Sequence, residues 1–164
     1  MNDMTYNEVK SFIDSFQNEA PVLTVPIARE LGINVLKSKS LGNISGMIVK
    51  NETRGGSSGY AIVVNDNHPE TRRRFTIAHE IAHFLLHKDL IGDGISEDAL
   101  LRSGLSSEVE TEANKLAADI LMPWDLLREY TNQGITSIRE LARIFNVSEN
   151  AMSIRFGIPY EYEY

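Results

Sequence analysis

Apolar residues at helical spacing open the chain. Tyr6, Val9, Ile13 and Phe16 fall on one face, which predicts an amphipathic helix over roughly 4–18. A short helix is expected from Pro26 to Gly32, with proline near its start and glycine just past its end. The pattern then shortens to strands: "INVL" at 33–36, "GMIVK" at 46–50 and "GYAIVVN" at 59–65. The last two flank the Gly/Ser stretch "NETRGGSSG", so they read as an antiparallel hairpin. Helical spacing returns after Pro69 and runs to about His87. Residues 88–106 are polar and glycine-containing, and read as a mobile loop with one helical turn, a possible lid. A helix over 106–122 follows, capped by Ser106 or Ser107. Pro123 breaks it and starts another, through Tyr130. Two short helices close the chain, the first capped by Thr136 or Ser137 and the second by Ser148. Helices around a few strands make this an α+β chain.

The 74–87 segment, "RFTIAHEIAHFLLH", departs from an ordinary amphipathic helix. Apolar residues surround it on nearly every side, which marks a buried helix. Yet it holds His79, Glu80, His83 and His87. Burying such groups is costly unless something binds them. Residues four apart share a helix face, so His79 and His83 can grip one cation. Glu80 lies about 100° around the helix, flanking the cation and placed to take a proton from water. A chance H-E-x-x-H would occur on the order of once in a hundred such chains. The buried setting favours a metal over that accident.

A catalytic zinc takes three protein ligands and keeps one open position. His87 continues the series, but eight helical residues put it about 12 Å from His79. Its expected roles are to cap the helix or support a ligand from behind. "SEVETEANKLAADILMP" offers Glu108, Glu110 and Glu112 ahead of an apolar stripe. Glu110 and Asn114 form an i, i+4 pair, so the carboxylate could ligate while the amide orients a histidine. Glu112 projects elsewhere. From spacing alone, an acidic helix start in solvent accounts for this cluster equally well.

Composition narrows the chemistry. Cysteine is absent, so any metal must be held by His, Asp or Glu. No apolar run is long enough to span a bilayer, and the N-terminus lacks a signal-peptide pattern. These features predict a cytoplasmic protein. The net charge of −7 argues against broad nucleic-acid binding.

"RRRFTIAHEIAHFLLH" followed by "ETEANKLAADILMP" resembles the ImmA/IrrE family of zinc-dependent metallopeptidases. "PVLTVPIARELGINV" and the strand ending at Asn65 extend the likeness to residues 20–157. Leu116 stands where the family usually has Phe. The resemblance implies a zincin-like fold, with several helices around a three-stranded sheet. It implies Glu110 as third ligand beside His79 and His83, Glu80 as general base, and zinc as the ion, with manganese or iron as alternatives. It implies an endopeptidase acting on an Xre-type helix-turn-helix repressor encoded nearby, releasing stress, phage or mobile-element genes. Larger members carry a C-terminal sensor domain, which a chain ending at Tyr164 is expected to lack. Asn114 and His87 are expected behind the ligands. Tyr60, Arg72, Arg73 and Arg74 are candidates to stabilise the oxyanion. "GYAIVVN" is expected either to receive extended substrate at a sheet edge or to be a plain core strand.

The last two helices raise a different possibility. "SIRELARIFNVSENAMSIRF" has the internal apolar pattern of a helix-turn-helix. Residues 1–131 would then be the peptidase core, with 132–164 packed on it. Span 136–157 has three arginines and two glutamates, too little charge for strong phosphate binding. The alternatives to an enzyme are a regulator that binds DNA, or one that binds its repressor without cutting it, as in a toxin–antitoxin-like pair.

Overall fold

The computed structural model describes residues 4–92, 94–96 and 106–158. Their order is α1 (Tyr6–Asp14), α2 (Thr24–Glu30), β1 (Asn34–Ser38), β2 (Gly46–Lys50), β3 (Tyr60–Asn65), α3 (Glu70–Leu86), α4 (Lys88–Ile91), β4 (Gly94–Ser96), α5 (Ser107–Leu121), α6 (Trp124–Asn132), α7 (Ile138–Phe145) and α8 (Glu149–Arg155).

Local chemistry sets most boundaries. Thr5 and Glu8 form a reciprocal capping box at the start of α1. Ser106, Ser137 and Ser148 each accept a backbone N–H at the starts of α5, α7 and α8. α2 stops at Gly32, whose φ of +75° lets Ile33 N–H reach the Ala28 carbonyl and Gly32 N–H that of Arg29. A Cβ at Gly32 would lie 2.8 Å from the Ser58 backbone nitrogen. Gly32→Ala is therefore expected to lower stability by about 2 kcal/mol, or several degrees in melting temperature. An unchanged thermal melt would contradict this account of the turn.

The sheet order is β1-β3-β2-β4. The β2–β3 hairpin is antiparallel, as its sequence predicts, while β1 pairs with β3 in parallel. The three expected strands form the body of the sheet. A fourth, three residues long, adds to β2 in the stretch read as a loop. The expected helical turn there is α4; residues 93 and 97–105 of that stretch lie outside the described residues.

β3 is central, with a neighbour on each side. This corrects the edge-strand reading of "GYAIVVN": its backbone groups are already paired, so it cannot accept a substrate strand. Five of its six residues are buried, as a strand covered on both faces requires. Among the described residues the open sheet edges are those of β1 and β4.

α3 crosses the sheet and packs most extensively against α5. Arg74 and Thr76–Leu85 are buried without interruption. One apolar core joins the sheet, α3 and α5 to Leu141, Phe145 and Met152 of the last two helices. Burying each such side chain contributes about 1.5–3 kcal/mol.

Candidate metal centre

α3 and α5 bring three donor groups to one point. His79 Nε2 and His83 Nε2 lie 3.1 Å apart. Glu110 oxygens lie 3.3 Å from the first and 2.9 Å from the second. Ligands about 2.0–2.1 Å from a tetrahedral zinc are separated by roughly 3.3 Å, so these atoms form one face of such a tetrahedron. His83 is fully buried and His79 nearly so, whereas the Glu110 side chain is 22% exposed. Glu110 is thus the least buried of the three, although its Oε1, the oxygen nearest His83, is itself buried. Among the described residues this is the one group of three or more potential donors.

The hydrogen bonds behind the histidines fix which nitrogens carry lone pairs. Asn114 Oδ1 lies 2.8 Å from His79 Nδ1 and can only accept, so that nitrogen holds the proton. His79 Nε2 is left basic. Glu112 Oε2 lies 2.9 Å from His87 Nε2, which donates to it. His87 Nδ1 then accepts from His83 Nδ1 at 3.0 Å. His83 Nε2 is thereby left basic as well. Two imidazole lone pairs and a carboxylate converge on one point, an arrangement that calls for a cation. Burial, and then the neighbouring His79 and His87, push the His83 imidazole down to about 3. His83 therefore keeps its single Nδ1 proton and takes no second one at neutral pH, which leaves Nε2 free for a divalent metal.

Each predicted residue can now be placed. His79, His83 and Glu110 come together. Asn114 and His87 stand directly behind the two histidines, and His87 also caps α3 by donating its backbone N–H to the His83 carbonyl. Glu80 is fully buried one residue on from His79.

The four oxyanion candidates have commitments elsewhere. Tyr60 donates its hydroxyl to the Gly92 carbonyl and packs edge-on against Phe84. Arg72 donates to Ser45 Oγ, and Arg73 to the His68 carbonyl. Arg74 is buried and donates to the carbonyls of Val22, Phe145 and Asn146. Its desolvation lowers its pKa, against the opposing pull of Glu70. Arg74 is a latch that ties α3 to the end of α7 and to the segment before α2.

Glu112 is the residue that sequence reasoning missed. On α5 it sits about 200° around from Glu110, which suggests that it turns away. The crossing of α5 over the end of α3 instead puts it within reach of His87. The signal available in the sequence was the unfinished series His79, His83, His87, whose last member needed an acceptor. Glu112→Gln removes a pure acceptor and is expected to weaken metal binding about tenfold. Competition against a chromophoric chelator would show it, and an unchanged affinity would remove Glu112 from the support of the centre.

Fold, motif and donor set together define a metallopeptidase-type domain. The sequence model of the IrrE N-terminal-like domain, peptidase family M78, matches residues 28–156. The chain belongs to this ImmA/IrrE family. It is 38% identical over 94 residues to the radiation response metalloprotease IrrE of Deinococcus deserti, covering 54% of this chain and 33% of that protein. To the protein of the same name from Deinococcus radiodurans it is 35% identical over 94 residues, covering 56% and 28%. The match therefore spans about a third or less of those relatives' length. A solved Mycobacterium tuberculosis transcriptional regulator superposes with a TM-score of 0.61 at 20% identity, over 91% of this chain and 45% of that one. That likeness supports the fold. No described helix is long and apolar enough to cross a membrane.

Proposed function

We propose that this protein is a zinc-dependent endopeptidase whose substrate is a helix-turn-helix repressor of the Xre type. The observation that carries the catalytic part is the convergence of His79, His83 and Glu110, with both histidines wired to aim Nε2 inward. Those three residues would hold the ion. When bound there, zinc supplies a Lewis acid that polarises a carbonyl and makes water more acidic.

The chain's own residues do the rest. Glu80 takes the proton of the attacking water and returns it to the leaving amine. Asn114, and His87 with Glu112, hold the imidazoles in the productive tautomer. Extended substrate pairs with one of the two open sheet edges, that of β1 or of β4, because both edges of β3 are taken. Of the division into a peptidase core (1–131) and a helix-turn-helix-like unit (132–164), the described part of the second, 132–158, is tied to α3 by Arg74. The family supports a protein substrate, and the repressor assignment is what the resemblance of the two sequence motifs implies. The protein acts in the cytoplasm, where that repressor resides.

The test is incubation of the purified protein with the repressor encoded beside its gene, with and without a chelator. Discrete fragments that disappear with chelator, and return when zinc is restored, are expected. Intact repressor under all conditions would defeat the assignment.

A further inference from the structure

We propose that the trough between α3, α5 and α8 is a docking site for an acidic amphipathic helix on a protein partner. The trough has a volume of about 790 Å³ and is walled mainly by apolar groups, including Phe75, Ala118, Ala151 and Ile154. Ile154 is 69% exposed, although the same helix buries Met152 and Ser153 completely or nearly so. Ala118 and Ala151 leave room for another helix to approach closely. The walls are helices with no free backbone edge, so the occupant packs by side chains, as a helix in a groove does.

Charge selects the kind of helix. The chain carries a net charge of −7, yet this trough is lined by Arg72, Lys115 and Arg155 and by no carboxylate. Arg155 is already paired with Asp119 at 2.9 Å and lies over the Trp124 ring. Arg72 and Lys115 make no ion pair among the described residues, so their charges are not neutralised by a carboxylate, although one Arg72 nitrogen donates to Ser45 Oγ. Acidic side chains flanking an apolar stripe complement this surface. Duplex DNA suits it less well: α8 presents an isoleucine where a base-reading helix presents polar side chains.

The trough adjoins the metal centre. Asn114 lines it and also accepts the hydrogen bond from His79 Nδ1. A docked helix would rest against the outer wall of the centre, and Glu110 itself does not line the trough. The proposal takes from the peptidase reading only that the partner is a protein.

Binding is measured without turnover, on the full metal-loaded chain carrying Glu80→Gln. The probe is a fluorescein-labelled designed helix of about four turns, with a leucine stripe flanked by glutamates; its control carries lysines instead. The glutamate helix is expected to bind about tenfold more tightly than the lysine helix, by fluorescence anisotropy. Lys115→Glu should reverse that order. Ile154→Asn, which removes the apolar contact without adding charge, should weaken both about tenfold, with metal content and thermal melt unchanged. Failure of the glutamate helix to bind, equal affinities for the two helices, or indifference to both substitutions overturns the proposal. So does a DNA duplex that binds the unsubstituted trough and is released by Lys115→Glu, which would make it a phosphate site. Repressor cleavage is scored separately, so its failure leaves this result standing.

Discussion

Glu110→Ala is expected to strip the protein of its metal at ordinary micromolar concentrations. Glu110 is the one anionic donor of the three, and its oxygens reach both histidines. Its removal leaves two neutral imidazoles to hold a dication. A structural zinc site is worth about 10–16 kcal/mol over four ligands, so one ligand accounts for roughly 2.5–4 kcal/mol, or about 10²–10³-fold in affinity. The fold should survive the change, since α5 keeps its Ser106 cap and its apolar stripe. Chelator competition and circular dichroism check the two halves of the expectation. Unchanged affinity in a folded variant would take Glu110 out of the ligand set.

Glu80→Gln is expected to separate metal binding from hydrolysis. Glutamine nearly matches glutamate in shape, so it can occupy the same fully buried position on α3. The three donors are untouched. What disappears is the base. General-base catalysis contributes typically about 10²–10⁴-fold, and kcat/KM against the repressor should fall by that order while one metal per chain is retained. A loss of only a few-fold would give the proton to another group. If the variant still lifts repression as well as the original protein, binding alone accounts for the biology.

Much of this centre can be read from the chain, for physical reasons. The α3 segment is apolar on all sides, so its polar residues had to be occupied, and the period of four put two imidazoles together. The serine caps mark α5, α7 and α8 because helix starts need side-chain acceptors. The family resemblance, more than spacing, singled out Glu110 from its acidic neighbours. Other features depend on how the elements meet. β4 has three residues and contains a glycine, too little for a strand pattern. β3 is a continuous apolar run, which is the mark of a central strand, and the structure selects that core reading over the edge alternative the sequence left open. Three consecutive arginines look alike in sequence, and only the approach of the end of α7 sets Arg74 apart as a buried latch. The Glu112–His87 contact comes from a helix crossing that no periodicity records.

The most direct measurement is diffraction from a zinc-soaked crystal at the zinc absorption edge. One anomalous peak is expected about 2.0–2.2 Å from His79 Nε2, His83 Nε2 and a Glu110 oxygen. A crystal with no peak there, or with the Glu110 side chain turned away from both histidines, contradicts the account.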